Sequence, residues 1–132
     1  MGKKVIAAAK TPPVPIETFQ QQAKEHPTDA AAQLRLGWAL YGAGRLQEAR
    51  KVLEDAQRDH PSDLEVVYAL GMTLKRAGDP VPARAAFQKL LELIPGVQDR
   101  TRSAVLKRIA HGHLHMLENG RWDLEKEIWG RS

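Results

Sequence analysis

With 132 residues, of which 42% are apolar and 27% charged, the chain has room for one ordinary globular domain and not two. Its formal charge of +4 is modest and its Lys and Arg residues are spread along the chain, so composition gives acidic partners only a slight preference. The absence of cysteine excludes disulfides and thiolate metal sites, and no apolar run approaches the roughly 18 residues of a membrane span.

The first segment, "MGKKVIAAAKTPPVP", reads as an extended arm over residues 1–14, because its Pro-rich end disfavours helix. "VIAAA" is too short for a signal-peptide core, and Ile6 stands where a myristoylation motif needs Ser or Thr, so a cytoplasmic protein is expected. Sparse aromatics, abundant Ala and Leu and the absence of β-branched runs then point to an all-α fold.

The organising feature is an internal repeat. "LGWALYGAGRLQEARKVLEDAQRDHP" (36–61) aligns with "LGMTLKRAGDPVPARAAFQKLLELIP" (70–95) at an offset of 34, matching Leu36/Leu70, Gly37/Gly71, Leu40/Leu74, Ala43/Ala77, Gly44/Gly78, Ala49/Ala83, Arg50/Arg84 and Pro61/Pro95. One step back puts Phe19 under Leu53, His26 under His60 and Pro27 under Pro61, so residues 15–27 form half of a preceding unit. Gly37 lies inside a helical pattern, where Gly costs about 1 kcal/mol relative to Ala. Its recurrence as Gly71 implies a close approach of the paired helices at Gly37/Gly71 and Ala49/Ala83, where a side chain would push the backbones apart.

Each unit reads as two amphipathic helices. The first spans 29 to about 43 and 46–59, joined at Gly44. The second opens on a capping box, Ser62 with Glu65, runs to Gly78, and restarts at Asp79-Pro80 with Pro82 still in the first turn. The third unit is degenerate. In its best alignment Leu106, Ile109, Ala110 and His113 fall under Val67, Leu70, Gly71 and Leu74, with about five extra residues in "GVQDRTR". Asn119-Gly120 ends that helix, and "RWDLEKEIWGRS" reads as a final one. The total is about seven helices.

The 34-residue period, with "LG…L…AG…A…L/F…P" at these spacings, resembles the tetratricopeptide repeat (TPR). The resemblance covers residues 30–63 and 64–97 as two full units and 101–132 as a degenerate capping unit. Gln33 and Val67 stand where the family often has Trp, and Leu40 and Leu74 where it often has Tyr. It implies a right-handed superhelix of antiparallel helix pairs and a non-catalytic interaction module without cofactors, binding a protein or peptide in a concave groove. Carried over residue by residue, the groove is lined by Leu34, Trp38 and Tyr41, then Glu65, Tyr68, Met72, Lys75 and Arg76, then Lys107 and His111. Ala31 and Ala104 line it as well, with Leu114 and His115 at its margin.

Helical spacing agrees, since Leu34, Trp38 and Tyr41 recur beside the core stripe of Leu36, Leu40 and Ala43. Lys75, Arg76 and Lys107 would give an edge suited to an acidic segment. The plainer reading is that Trp38 and Tyr68 pack on neighbouring helices or on the arm; alternatively, the last helix fills the groove. The carboxylate clamp by which some TPR modules hold chaperone tails is not matched: its positions hold Leu34, Trp38, Ala69, Ala104 and Arg108, of which only Arg108 fits.

Other chemistry is thin. His111, His115 and Glu118 share a helical face opposite Leu106, Ile109 and Leu117, a workable divalent-metal spacing, but Gly112 stands where a metalloprotease needs Glu. Solvated histidines are the ordinary explanation, and no metal is expected there. His26 and His60 precede the repeat-closing prolines and read as structural. "RTRSAVLKR" is basic but lacks the interleaved aromatics of a nucleic-acid surface, so nucleic acid stands only as the alternative partner. Trp122 and Trp129, seven apart, either cap the last unit or mediate self-association.

Overall fold

The computed structural model describes residues 14–119. They form six α-helices: α1 (Ile16–Glu25), α2 (Ala30–Gly42), α3 (Leu46–Asp59), α4 (Leu64–Arg76), α5 (Pro80–Leu93) and α6 (Arg100–Asn119), with a 3-10 turn at Ile94–Gly96 between the last two. No strand occurs among the described residues. The arm over 1–13 and the seventh helix expected after Asn119, with Trp122 and Trp129, lie outside the described residues.

The helices form because their ends are satisfied locally. Asp29 Oδ1 accepts from Ala31 N at 3.0 Å, and Asp63 Oδ1 accepts from Glu65 N at 3.0 Å and Val66 N at 3.2 Å. The cap of α4 is therefore Asp63 and not Ser62, which corrects the expected capping box. Asp63 N donates to His60 O at 3.1 Å, and this turn sets the helix start one residue later. The C-terminal ends of α2 and α4 are closed by Gly44 (φ 77°) and Gly78 (φ 83°), a left-handed conformation that Gly adopts without strain. Arg45 N then reaches Leu40 O, and Asp79 N reaches Leu74 O, at 2.9 and 3.0 Å. The repeat is thus visible down to individual hydrogen bonds. His60 is structural as expected: its Nε2 lies 2.7 Å from Thr28 O, tying one unit's closing turn to the previous one.

Each helix packs on its chain neighbours, and α2 also touches α4 directly. This is the arrangement of stacked antiparallel pairs, in which each unit buries its apolar face only against the next. The glycines explain the fit. A Cβ on Gly37 would stand 2.6 Å from Leu53 Cδ2, and one on Gly71 2.9 Å from Phe87 Cζ. Leu53 and Phe87 are themselves 34 apart, and both are fully buried. The close approach is therefore a side chain nested against a bare backbone, rather than two backbones in contact. Gly37→Ala should destabilise the chain by about 1–2 kcal/mol, the overpacking penalty outweighing the gain in helix propensity. In a urea-unfolding cycle with Leu53→Ala, the double variant should be more stable than the summed single losses predict, because the new methyl enters the space Leu53 leaves.

The third unit departs from the expected register. Gly71 faces the helix that follows it, whereas Ala110 shares a buried cluster with Val67, Phe87 and Leu90, and His113 stacks on Phe87. Ala110 and His113 thus look back toward α4 and α5. Ala110, His113 and Leu117 pack inward, while Ala104, Lys107, Arg108 and His111 are exposed.

Candidate functional site

The packing brings α2, α4 and α6 together along one side of the array, where they carry a continuous run of rings. Trp38 meets Tyr41 edge-on with centroids 5.3 Å apart, and Tyr68 of the next unit at 6.1 Å. Tyr68 meets His113 of α6 at 6.1 Å. Beneath them lies Phe87, 6.4 Å from Tyr68 and stacked on His113 at 4.7 Å with an interplanar angle of 13°. Trp38, Tyr41, Tyr68 and Met72 are half-buried: each packs against the core with one side and leaves the other accessible. Leu34 and Trp38 lean on the cluster of Leu53, Ala69, Leu70, Leu74 and Ala83.

Both basic residues at the end of α4 are engaged. Arg76 Nη1 donates to Tyr41 O at 2.8 Å, and its guanidinium lies 4.9 Å from the centroid of the Tyr41 ring, which locks α4 to the end of α2. Lys75 Nζ donates to His113 Nδ1 at 2.9 Å, which makes that nitrogen the acceptor and leaves the ring proton on Nε2. Burial, and then the neighbouring ammonium, push the His113 pKa down to about 4. Burial also lowers that of Lys75 and raises that of Tyr68, where Tyr41 adds to the effect. His113 is therefore a neutral ring near pH 7, and with Nδ1 occupied by an ammonium it is a poor general base.

Of the residues expected to line the groove, Leu34, Trp38, Tyr41, Tyr68, Met72, Lys75 and Arg76 are gathered along this side of α2 and α4. Glu65 lies toward the opposite end of α4 with Arg102 Nη2 3.9 Å away, beside a cleft of about 460 Å³ that also takes in Ala31, Leu34 and Arg35. Lys107 and His111 are not brought in. At 100° per residue they point about 120° and 160° away from His113 around α6, and both line a separate cleft on its outer side. His111 and Glu118 are exposed and His115 is half-buried. Among the described residues no three His, Asp or Glu side chains converge to hold a metal ion. No described helix is long and apolar enough to cross a membrane.

His113 is the residue that sequence reasoning passed over, placing it as a core position. Its signal was available: a histidine on an otherwise apolar stripe of Leu106, Ala110 and Leu117 needs a polar partner, and Lys75 supplies it.

Comparison with known proteins agrees with this geometry. A family model described as tetratricopeptide repeat matches residues 16–63 and, overlapping them, 34–97. No curated protein matches the chain.

Proposed function

Because the chain belongs to the tetratricopeptide repeat family, whose members generally mediate protein–protein contacts, we propose that it is a non-catalytic, cytoplasmic adaptor holding a partner segment along the α2–α4–α6 side. The supporting observation is the half-buried ring series Tyr41, Trp38 and Tyr68, which joins α2 to α4 and ends on the buried ring of His113 in α6. Rings held on one side by the core and open on the other lose little entropy when a ligand covers them, and such residues dominate binding energy. Leu34 and Met72 extend the apolar floor. Lys75 and Arg76 give one end a positive margin that suits an acidic residue in the bound segment.

The test is partner capture from native extract on the immobilised chain, comparing wild type with Trp38→Ala/Tyr68→Ala. A specific partner kept by the wild type and reduced about a thousandfold in affinity by the double change supports the reading, since two anchor rings carry about 2 kcal/mol each. Equal retention by a variant that circular dichroism shows to be folded sinks it. Self-association through Trp122 and Trp129 is read separately, from the mass obtained by sedimentation in the absence of partner.

A further inference from the structure

The ring-lined side begins close to where the chain enters the fold. Ile16, the first residue of α1, and Tyr41, the ring at one end of the series, pack against the same buried cluster of Leu36, Leu40 and Ala49. Glu17 adds to Glu48 in raising the Arg45 pKa, which sets the start of α1 beside the end of α2. Ahead of Ile16 stands Pro15, whose φ of −61° and ψ of 146° are those of polyproline II. Pro15 O accepts from Thr18 N at 3.0 Å, so the helix it caps fixes the direction of this backbone. The sequence carries the same preference further back: in "TPPVP", Thr11, Pro12 and Val14 each precede a proline, which biases them to extended backbone.

The rings suit such a strand. Successive centroids from Tyr41 through Trp38 to Tyr68 lie 5.3 and 6.1 Å apart, and two residues of polyproline II advance about 6 Å. The rings meet edge-on or tilted, at 86° and 53°, and so leave recesses between them that a proline ring can enter. Among the described residues the Trp38 indole N–H and the Tyr41 and Tyr68 hydroxyls make no hydrogen bond. They are the donors a polyproline II strand needs, since its carbonyls have no partner within the strand. A bound helix, whose backbone is satisfied internally, has no such use for them.

We propose that the segment ahead of Pro15 is a strap on its own chain: through Pro12 and Pro13 it lies across Tyr41 and Trp38 and reaches Tyr68, and a partner must displace it. Length permits this. The path from Tyr41 to Tyr68 is about 11 Å, or about four residues of polyproline II, and residues 1–13 stand ahead of the described chain. Tethering selects the chain's own segment over that of another molecule. A few rings hold a free proline strand weakly, but a short tether keeps the strand at an effective concentration on the order of millimolar, so a weak contact is still occupied. The competition with a partner rests on the reading that partners use the ring-lined side; the docking of the strap does not.

The experiment places a nitroxide on the full chain at Lys10→Cys, a unique attachment point because the chain has no cysteine of its own. In NMR spectra the label should broaden the Trp38 indole and Tyr68 ring signals severalfold more than those of Ile94, just past the far end of α5. Pro12→Ala/Pro13→Ala should remove most of that difference while circular dichroism stays unchanged. In partner capture, a chain lacking residues 1–13 should bind about tenfold more tightly than the full chain, as expected for a strap in place about nine-tenths of the time. Equal broadening at Trp38 and Ile94 overturns the proposal, and so does broadening indifferent to the two prolines. Broadening that is as strong when nitroxide and isotope are on different chains overturns it in favour of a second copy's segment. Broadening in place with no gain in capture on removing residues 1–13 overturns the competition. A strap detected when neither form captures a partner is a failure of the partner reading, with the docking upheld.

Discussion

Replacing Phe87 with Ala should cost the chain about 3–5 kcal/mol, the range for a fully buried aromatic whose neighbours cannot collapse into the space. The ring has no solvent exposure and is nested against the bare backbone of Gly71, under Tyr68 and His113. It is the point where α4, α5 and α6 meet, so the cavity would open between the second unit and α6. Thermal unfolding should fall by about 10–20 °C. The equivalent Leu53→Ala should cost less, because Leu53 is smaller and supports no stacked ring. Calorimetry on both variants makes the comparison. A loss below about 1.5 kcal/mol for Phe87→Ala would mean that α6 does not rest on this ring in solution. Release of His113 gives a second readout: its pKa, followed by NMR, should climb from about 4 toward 6.5 once the ring that buries it is gone.

The same packing explains which parts of the molecule could be read from the sequence. The 34-residue period was legible because its small positions are forced: whatever fills the space at Gly37 or Gly71 must be the large side chain sixteen residues later, and both units obey this. The helices of the two full units follow, and so does the gathering of Trp38, Tyr41, Tyr68 and Met72 on one side. The start of α4 was not legible to the residue, because Ser62 and Asp63 are both good caps and only the turn back to His60 O selects between them. The third unit was legible as a helix but not as a register. The 3-10 turn at Ile94–Gly96 and the residues after it rotate α6 relative to the period, so periodicity could say which residues share a face but not which face looks inward. That is why Lys107 and His111 were assigned to the groove and lie on the outer side, while His113, assigned to the core, closes the ring series. Arg50 and Arg84 occupy equivalent positions in sequence, yet among the described residues only Arg50 is paired with carboxylates. Alignment transmits the position of a side chain, and the partner depends on what the next unit brings.

His113 should also make stability fall between about pH 6.5 and pH 4. In the unfolded chain its imidazole takes up a proton near 6.5, whereas in the fold burial and the Lys75 ammonium hold the pKa down to about 4. Between those values the unfolded state binds more protons, so each step toward acid favours unfolding; the contribution is fully present above 6.5 and gone once pH drops through 4. The lowered pKa of Lys75 has its effect in the alkaline range and adds no slope here. Linkage sets a ceiling of about 3 kcal/mol for this residue, and access of solvent to the rim of the ring reduces it to about 1–2 kcal/mol. His113→Gln removes the titration while its amide oxygen can still accept from Lys75. The variant should be less stable than wild type at pH 7, because it forfeits the stack on Phe87, and the gap should close by about 1–2 kcal/mol by pH 4.5. Surface carboxylates titrate in both proteins and cancel in the difference. A gap that stays constant from pH 7 to 4.5 in urea unfolding would show that His113 titrates as a solvated imidazole. In that case the ring would not be held between Lys75 and Phe87, and the aromatic series would end at Tyr68.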